Sequence, residues 1–186
     1  MGETTRNADK SGASSALHEA AARFLSHLRT VKRYSDHTVR NYARDLNSLG
    51  DFCAGTDVET LNLMRHRHIQ AWVSAEHRRG LAAKTLQRRL SAARSLFRFL
   101  IAEGELEANP VHGVSAPRSA RHLPRTLDPD QMSRLLETPG DAWHDARDLA
   151  MMELFYSSGL RLAELTAANR NDVSREGKTI TVTGKG

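Results

Sequence analysis

The chain has 186 residues, of which 39% are hydrophobic and 5% aromatic, and its formal net charge is +5. This length allows one large domain or two small ones. No run approaches the ~18 uncharged apolar residues that cross a bilayer, and the polar residues 1–15 lack the apolar segment of a secretory signal. Cys53 is the only cysteine, which excludes a disulfide framework or a thiolate metal site. The composition predicts a soluble, mostly helical protein of the cytoplasm.

Basic residues are concentrated in one part of the chain. Residues 65–98 contain nine Lys and Arg but a single acid, Glu76, whereas residues 111–186 contain ten of each sign. Such a local surplus is unfavourable unless a polyanion offsets it, because like charges repel. The pattern therefore predicts that this segment binds nucleic acid.

Apolar residues at helical spacing predict four helices in the first part of the chain. These cover about residues 16–30, a segment beginning near Thr38, residues 66–79 and residues 82–103. Ser35 or Asp36 is the expected N-cap of the second helix, and Gly80 is expected to end the third. We therefore expect a helical DNA-binding domain over residues 16–104, preceded by a disordered tail over residues 1–15.

The fourth predicted helix has two different faces. One is apolar, and the other is a row of cations and hydroxyls without an acid, which we call the basic stripe. It consists of Lys84, Arg88, Ser91, Ser95 and Arg98. A stripe of this kind fits the major groove of DNA, where Arg side chains reach phosphates or base edges. The alternative is a solvated face, although such a face normally mixes both signs of charge.

Further cations extend the predicted DNA-binding surface. The second helix carries a weaker copy of the stripe, and residues 105–126 form a basic segment rich in Gly and Pro that predicts a linker running close to phosphate. The residues expected to contact DNA are Arg40, Arg44, Lys84, Arg88, Arg89, Arg94, Arg98 and Arg121.

A second unit is expected over residues 127–186. Asp128 followed by Pro129 is typical of a helix start. Further helices are expected over residues 142–157 and 160–168. Residues 178–183 alternate Ile and Val with Thr and form the only predicted strand. Because a lone strand leaves its backbone groups unpaired, we expect this unit to be incomplete.

Cofactor motifs find no match in the sequence. The Gly184-Lys185 pair lacks the preceding glycine of a phosphate-binding loop, since Thr179 stands at that position. The nine histidines do not pair with carboxylates or Cys53 at metal-ligand spacing on one helical face. We therefore expect no cofactor and no metal.

One block carries a more specific signal. Residues 157–165 read Ser-Ser-Gly-Leu-Arg-Leu-Ala-Glu-Leu, and the predicted strand and a Gly-Lys-Gly turn at 184–186 follow about twenty residues later. The combination resembles the tyrosine site-specific recombinases of the lambda-integrase superfamily, and most of all the bacterial Xer recombinases. The similarity extends from about Leu17 to the C-terminus. It implies a mainly helical fold, with a SAM-like core-binding bundle followed by the start of an α+β catalytic domain.

The resemblance also implies roles for individual residues. In this family a tyrosine attacks a scissile DNA phosphate and forms a 3′-phosphotyrosine without metal or nucleotide. Arg161 matches the arginine that holds the phosphate, Glu164 the acid that orients it, and Lys185 the general acid toward the 5′-hydroxyl. The alternatives are that Arg161 and Glu164 form an ordinary surface salt bridge and that Lys185 is a solvated lysine without a catalytic role.

The nucleophile itself is not expected among the tyrosines of this chain. Tyr42 and Tyr156 are expected in the core, and neither matches the position of the family's nucleophile. We therefore expect this chain to bind DNA without cleaving it.

The family suggests a cellular role with several alternatives. A Xer-type recombinase would act at double-stranded DNA recombination sites to resolve chromosome dimers. It would do so with a sister recombinase in a tetrameric synapse at the nucleoid, without membrane or small-molecule partners. A phage, transposon or integron integrase of the same superfamily is one alternative, and a non-catalytic DNA-binding module is another.

Overall fold

The structure is a computed structural model that describes residues 12–118, 126–137, 140, 142–174 and 176–184. The chain divides into two compact units, residues 1–121 and residues 122–186. The mainly helical fold expected from the sequence is confirmed, with a helical first unit and a second unit that adds a small sheet.

The described residues of the first unit form four α-helices, in close agreement with the predicted boundaries. They are α1 (Gly12–Thr30), α2 (Asp36–Ala54), α3 (His66–Arg78) and α4 (Ala83–Ala102), with a 3-10 turn at Leu61–Leu63. Ser35 caps α2, since its Oγ accepts a hydrogen bond from the Thr38 N–H at 3.4 Å. Gly80, with φ +88°, follows α3 as expected. Because α1 begins at Gly12, residues 12–15 are helical rather than part of the expected tail.

The apolar stripes of these helices meet in one core, and we call this unit the bundle. Helix α2 packs against both α1 and α4, and α4 also contacts α3. Trp72, Phe97 and Leu90 are at most 2% exposed, and burying such a side chain stabilises the fold by about 1.5–3 kcal/mol. Cys53 lies in the same core, where burial raises the pKa of its thiol to about 11.

Part of the expected linker belongs to the bundle. Val111 and Val114 are 0% and 5% exposed within its core. The Asn109 side-chain amide donates to the Arg94 carbonyl at 3.1 Å, and its oxygen accepts from the Val111 N–H at 3.0 Å. The expectation that the linker begins at residue 105 is therefore wrong, because the segment up to Val114 belongs to the bundle. Its Gly and Pro content suggested a free connection, but two valines three residues apart anchor it in the core.

The second unit contains three short helices and a two-stranded sheet among its described residues. They are α5 (Pro129–Leu136), α6 (Trp143–Ser158), α7 (Leu162–Ala167), a 3-10 turn at Arg170–Asp172, β1 (Val173–Ser174) and β2 (Thr179–Ile180). Asp128 Oδ1 accepts from the Gln131 N–H at 2.8 Å, and Gln131 Oε1 accepts from the Asp128 N–H at 3.2 Å. This reciprocal capping confirms the helix start expected at Asp128 and Pro129.

The predicted strand has a partner that the sequence did not reveal. β1 pairs antiparallel with β2, and Val173 lies opposite Ile180. The intervening turn places Lys178 at φ +48° and lets the Gly177 N–H donate to Ser174 Oγ at 3.1 Å. The expectation of an unpaired strand is therefore wrong, because a two-residue strand is too short to show the alternation by which strands are recognised.

Much apolar surface of the second unit is exposed. Among its described residues only Leu165 is fully buried, whereas Trp143 is 74% and Tyr156 59% exposed. The expected core position of Tyr156 is therefore wrong. The apolar residues of α6 are distributed around the whole helix instead of forming one stripe that faces a core. Tyr42, by contrast, packs against the core of the bundle. Within the described residues, no helix has the length and apolar character needed to cross a membrane.

Candidate nucleic-acid interface and catalytic segment

The cations of the basic stripe on α4 and the candidate cations of α2 occupy exposed positions of their helices. Lys84 and Arg98 of α4 and Arg40 and Arg44 of α2 are all exposed. These four side chains make no ion pair or hydrogen bond with any described residue. The two helices adjoin across a small cavity of about 220 Å³, lined by Thr38, Asn41, Tyr42, Asp45, Arg88, Ser91 and Ala92. Of the candidate DNA-contacting residues, Arg88 lines this cavity.

Arg88 differs from its neighbours in the stripe because a buried acid holds it. Its Nη1 donates to Oδ2 of Asp45 on α2, and the side chains of Arg88 and Asp45 are 44% and 2% exposed. Burial raises the pKa of Asp45, while the attraction of Arg88 and Arg89 acts against that rise. The Arg88 guanidinium thus reaches the surface with one of its donors already bound inside the bundle.

Arg89 faces the interior instead of the DNA surface expected for it. Its side chain is 16% exposed, and Nη1 contacts Oε2 of Glu76 on α3. The same nitrogen donates to Ser48 Oγ at 2.6 Å, and Nε lies 3.9 Å from Asp45 Oδ1. We call Asp45, Glu76, Arg88 and Arg89 the buried charge cluster. It ties α2, α3 and α4 together through ion pairs, and Arg79 also donates to Glu76 at 3.0 Å.

The sequence itself contains a signal for this cluster. Asp45 lies three residues after Tyr42 and four before Leu49, and Glu76 lies four residues after Trp72. A charge at a core position of an amphipathic helix requires a partner of opposite sign, because an unpaired buried charge is strongly unfavourable. Two acids at core positions, in a chain with two adjacent arginines on another predicted helix, predict ion pairs inside the bundle.

Two other candidate cations have different surroundings. Arg94 is half-buried, and its Nη2 donates to the Val114 carbonyl at 3.5 Å, so it binds the segment that follows α4. Arg121 lies outside the described residues. Of the candidate DNA-contacting cations, those that are exposed and have no ion-pair partner among the described residues are therefore Arg40, Arg44, Lys84 and Arg98.

Arg161 and Glu164 form a compact pair at the start of α7. The Arg161 backbone N–H donates to Glu164 Oε2 at 2.8 Å, and its Nη1 donates to Oε1 at 2.7 Å. Arg161 is the N-cap residue rather than part of the helix expected over 160–168, and Gly159 at φ +62° ends α6 just before it. The pair therefore spans a helix start, where the carboxylate also satisfies a free backbone donor.

The exposures of the two side chains show which partner is available to a ligand. Arg161 is 81% exposed, whereas Glu164 is 13% exposed. The Arg161 backbone N–H, and next its guanidinium, lower the pKa of Glu164. Glu164 thus holds one edge of the guanidinium, and its other donors are free to bind an anion.

The remaining catalytic candidate, Lys185, lies outside the described residues. Within the described part of the chain, no group of three or more His, Cys, Asp or Glu is arranged to hold a metal ion.

Known families match both units. Residues 21–104 match the phage integrase N-terminal SAM-like domain, and residues 125–186 match the phage integrase family. Tyrosine recombinase XerC of Xanthomonas campestris pv. campestris is 42% identical over 175 residues, which cover 94% of this chain and 54% of that protein. XerC of Vibrio cholerae serotype O1 is 39% identical over 181 residues, which cover 97% and 58%. This chain belongs to the tyrosine recombinase family, and it spans about half the length of these relatives.

Solved structures share the fold. The Tn1549 transposon integrase, in complex with a circular intermediate DNA, matches with a TM-score of 0.72 and 17% identity over 89% of this chain and 52% of that protein. A second complex of that integrase gives a TM-score of 0.69 at 15% identity.

We predict that Arg89→Ala destabilises the bundle by about 3–5 kcal/mol, because Glu76 and Asp45 lose a buried counter-ion. Urea unfolding followed by fluorescence measures this, in a Trp143→Phe background that leaves Trp72 as the only tryptophan. Arg98→Ala, on the exposed face of the same helix, is the matched control and should change stability by about 0.5 kcal/mol or less. Equal unfolding midpoints for the two variants would contradict an internal role for Arg89.

We predict that the backbone donor keeps the pKa of Glu164 low even without the Arg161 side chain. The N–H is the largest single cause, so Arg161→Ala should retain part of the lowering. Arg161→Pro removes both donors and suits the native φ of −77°; it should return the pKa of Glu164 to its ordinary value.

Carboxyl-carbon NMR titration measures these pKa values. Because the folded pKa of Glu164 is lowered, its stabilising contribution is present near neutral pH and is lost as the pH falls through that folded pKa. A full return to the ordinary pKa in Arg161→Ala would show that the guanidinium dominates instead.

Proposed function

We propose that this protein acts as a site-specific DNA recombinase whose bundle binds double-stranded DNA through α2 and α4. The observation that carries the proposal is the surface of unpaired cations on these two adjoining helices, in a chain that also presents the Arg161–Glu164 pair. The positive charge of this surface attracts the phosphate backbone of DNA, and an exposed helical face can enter a major groove.

The four unpaired cations suit phosphate contacts. Lys84, Arg98, Arg40 and Arg44 make no direct ion pair or hydrogen bond with a described residue, although Arg44 attracts the buried Asp45 from a distance, so binding DNA breaks no ion pair. Each phosphate contact releases counter-ions from DNA, which makes binding strong at low salt. We assign these four residues to affinity and Arg89 to the bundle interior.

In the proposed reaction, Arg161 holds the scissile phosphate. Its free donors bind the non-bridging oxygens and stabilise the additional negative charge of the pentavalent transition state, while Glu164 keeps the guanidinium oriented. A tyrosine oxygen attacks the phosphorus and gives a 3′-phosphotyrosine, and the 5′-oxygen leaves with a proton from Lys185. The reverse attack by a 5′-hydroxyl rejoins the strand without an energy source.

We propose that Tyr34, Tyr42 and Tyr156 are not the nucleophile. Tyr42 packs against the bundle core, and Tyr34 lies beside it, between α1 and α2 of the same bundle. The exposed Tyr156 lies on α6 only five residues before Arg161. By this proposal the 186-residue chain binds DNA and does not cleave it by itself.

The proposed cellular role is that of a Xer-type recombinase. Identity of about 40% to XerC proteins over nearly the whole chain supports this role over that of a mobile-element integrase. The protein would then resolve chromosome dimers at paired recombination sites, with a sister recombinase in a tetrameric synapse at the cytoplasmic nucleoid.

We predict that Lys84→Ala and Arg98→Ala weaken binding to all duplexes alike. Each variant removes one phosphate contact, so the slope of log K against log salt should become shallower by about 0.9. Fluorescence anisotropy titrations over a range of salt measure this slope. Arg23→Ala is the control, because Arg23 is bound to Glu105 at 2.7 Å, and it should leave the slope unchanged. Unchanged slopes in the stripe variants would show that the stripe is only a solvated face.

We predict that the chain forms no covalent adduct with a nicked suicide duplex that it binds. Denaturing gel electrophoresis detects a phosphotyrosine linkage, and a full-length XerC on its own site is the positive control. An adduct that disappears in Tyr156→Phe would contradict the proposal and identify Tyr156 as the nucleophile.

A further inference from the structure

Arg88 is the one cation of the basic stripe that has an ion-pair partner among the described residues. Lys84 and Arg98 on the same helix are free, whereas Arg88 donates to a carboxylate that is 2% exposed. The arginine itself remains 44% exposed. This combination of a buried acid and an exposed guanidinium differs from a surface salt bridge, in which both partners are solvated.

The ion pair makes Arg88 a poor phosphate contact. Asp45 already offsets its charge, and a phosphate brought to the same guanidinium would face the Asp45 carboxylate nearby. The donor capacity of the side chain is less affected. A guanidinium has five N–H donors, and the structure records only the Nη1 bond to Asp45.

The ion pair also fixes the direction of Arg88. An arginine held by a second side chain has lost its rotamer freedom in advance, so a further partner meets a preorganised fork. A fork of two donors matches the O6 and N7 acceptors of guanine in the major groove, which is the commonest specific contact between arginine and DNA. These acceptors are neutral and are therefore less repelled by Asp45 than a phosphate is.

We infer that Arg88, oriented by Asp45, reads a guanine in the major groove and determines sequence specificity. Asp45 is a positioning residue in this inference, and the four unpaired cations supply affinity. The inference rests on the proposed binding of DNA by α2 and α4. It adds the base that is read and separates the residue that reads it from the residues that hold phosphates.

The buried charge cluster keeps Asp45 in place for this role. Arg89 Nε lies 3.9 Å from Asp45 Oδ1, and both atoms are buried without a hydrogen-bond partner among the described residues. Glu76 and Ser48 hold the other end of Arg89. A second cation thus stabilises the Asp45 carboxylate from inside, which leaves Arg88 free to share its donors with DNA.

The cavity beside Arg88 suits the approach of a base edge. The cavity is about 220 Å³ in volume, and Thr38, Asn41 and Ser91 contribute two hydroxyls and an amide to the residues that line it. These neutral groups can pair with donors or acceptors of the neighbouring base. A surface devoted only to phosphates would have cations in these positions.

The test uses the intact 186-residue chain and duplexes that it selects from a randomised-sequence pool. Each guanine of the selected duplex is replaced in turn by 7-deazaguanine, which lacks the N7 acceptor, and binding is measured by anisotropy. For the unaltered chain we expect about a tenfold loss at one guanine. Arg88→Lys keeps the charge but lacks the fork. In this variant the 7-deazaguanine replacement should leave the affinity unchanged.

A second variant separates orientation from charge. Asp45→Asn frees Arg88 for phosphates, so we expect tighter binding to unselected duplexes, a steeper salt slope and loss of the 7-deazaguanine penalty. Arg98→Ala is the matched control and should weaken both duplexes while keeping the penalty. Circular dichroism checks the fold of each variant, and Arg88→Lys decides the question if Asp45→Asn does not fold.

The outcomes distinguish the inference from the function on which it rests. If no duplex is enriched or bound, the proposed DNA binding fails and the inference fails with it. If duplexes are bound but no guanine shows a penalty, or the penalty persists in Arg88→Lys, only the assignment of Arg88 is overturned.

Discussion

The bundle depends on the compensation of two acids that its helices carry at core positions. Asp45 and Glu76 are 2% and 4% exposed, and neither could remain ionised there without a cation. Helix α4 supplies two adjacent arginines: Arg88 pairs with Asp45, whereas Arg89 pairs with Glu76 and also lies 3.9 Å from Asp45. Because adjacent residues of a helix point about 100° apart, Arg89 enters the interior while Arg88 reaches the surface. The ion pairs therefore fix how α4 is rotated against α2 and α3.

This constraint also divides the cations of α4 by function. Those with internal partners contribute to packing and orientation, and those without partners give the surface its positive charge. A simple count of Lys and Arg treats them as equivalent. The same segment thus contains arginines with partners inside the bundle and exposed cations without them, and only the folded bundle distinguishes the two kinds.

In the second unit, the geometry of the Arg161–Glu164 pair depends on local contacts rather than on distant ones. Arg161 and Glu164 are joined by backbone and side-chain hydrogen bonds across a single helix start, so their geometry requires little of the surrounding fold. Apolar side chains of the same unit, such as Trp143 and Leu162, are exposed. A pair built on a helix cap can therefore be recognised from a short block of sequence.

The sequence by itself determined the helices, their caps and the family, because helical periodicity, the Ser35 and Asp128 caps and the block around Arg161 are local patterns. It also placed Lys84 and Arg98 on an exposed face. Only the tertiary structure decided that Arg89 turns inward, that Val111 and Val114 join the core, and that residues 179–180 pair with residues 173–174. Each of these depends on a contact between residues distant in the chain, and helix or strand periodicity contains no information about such partners.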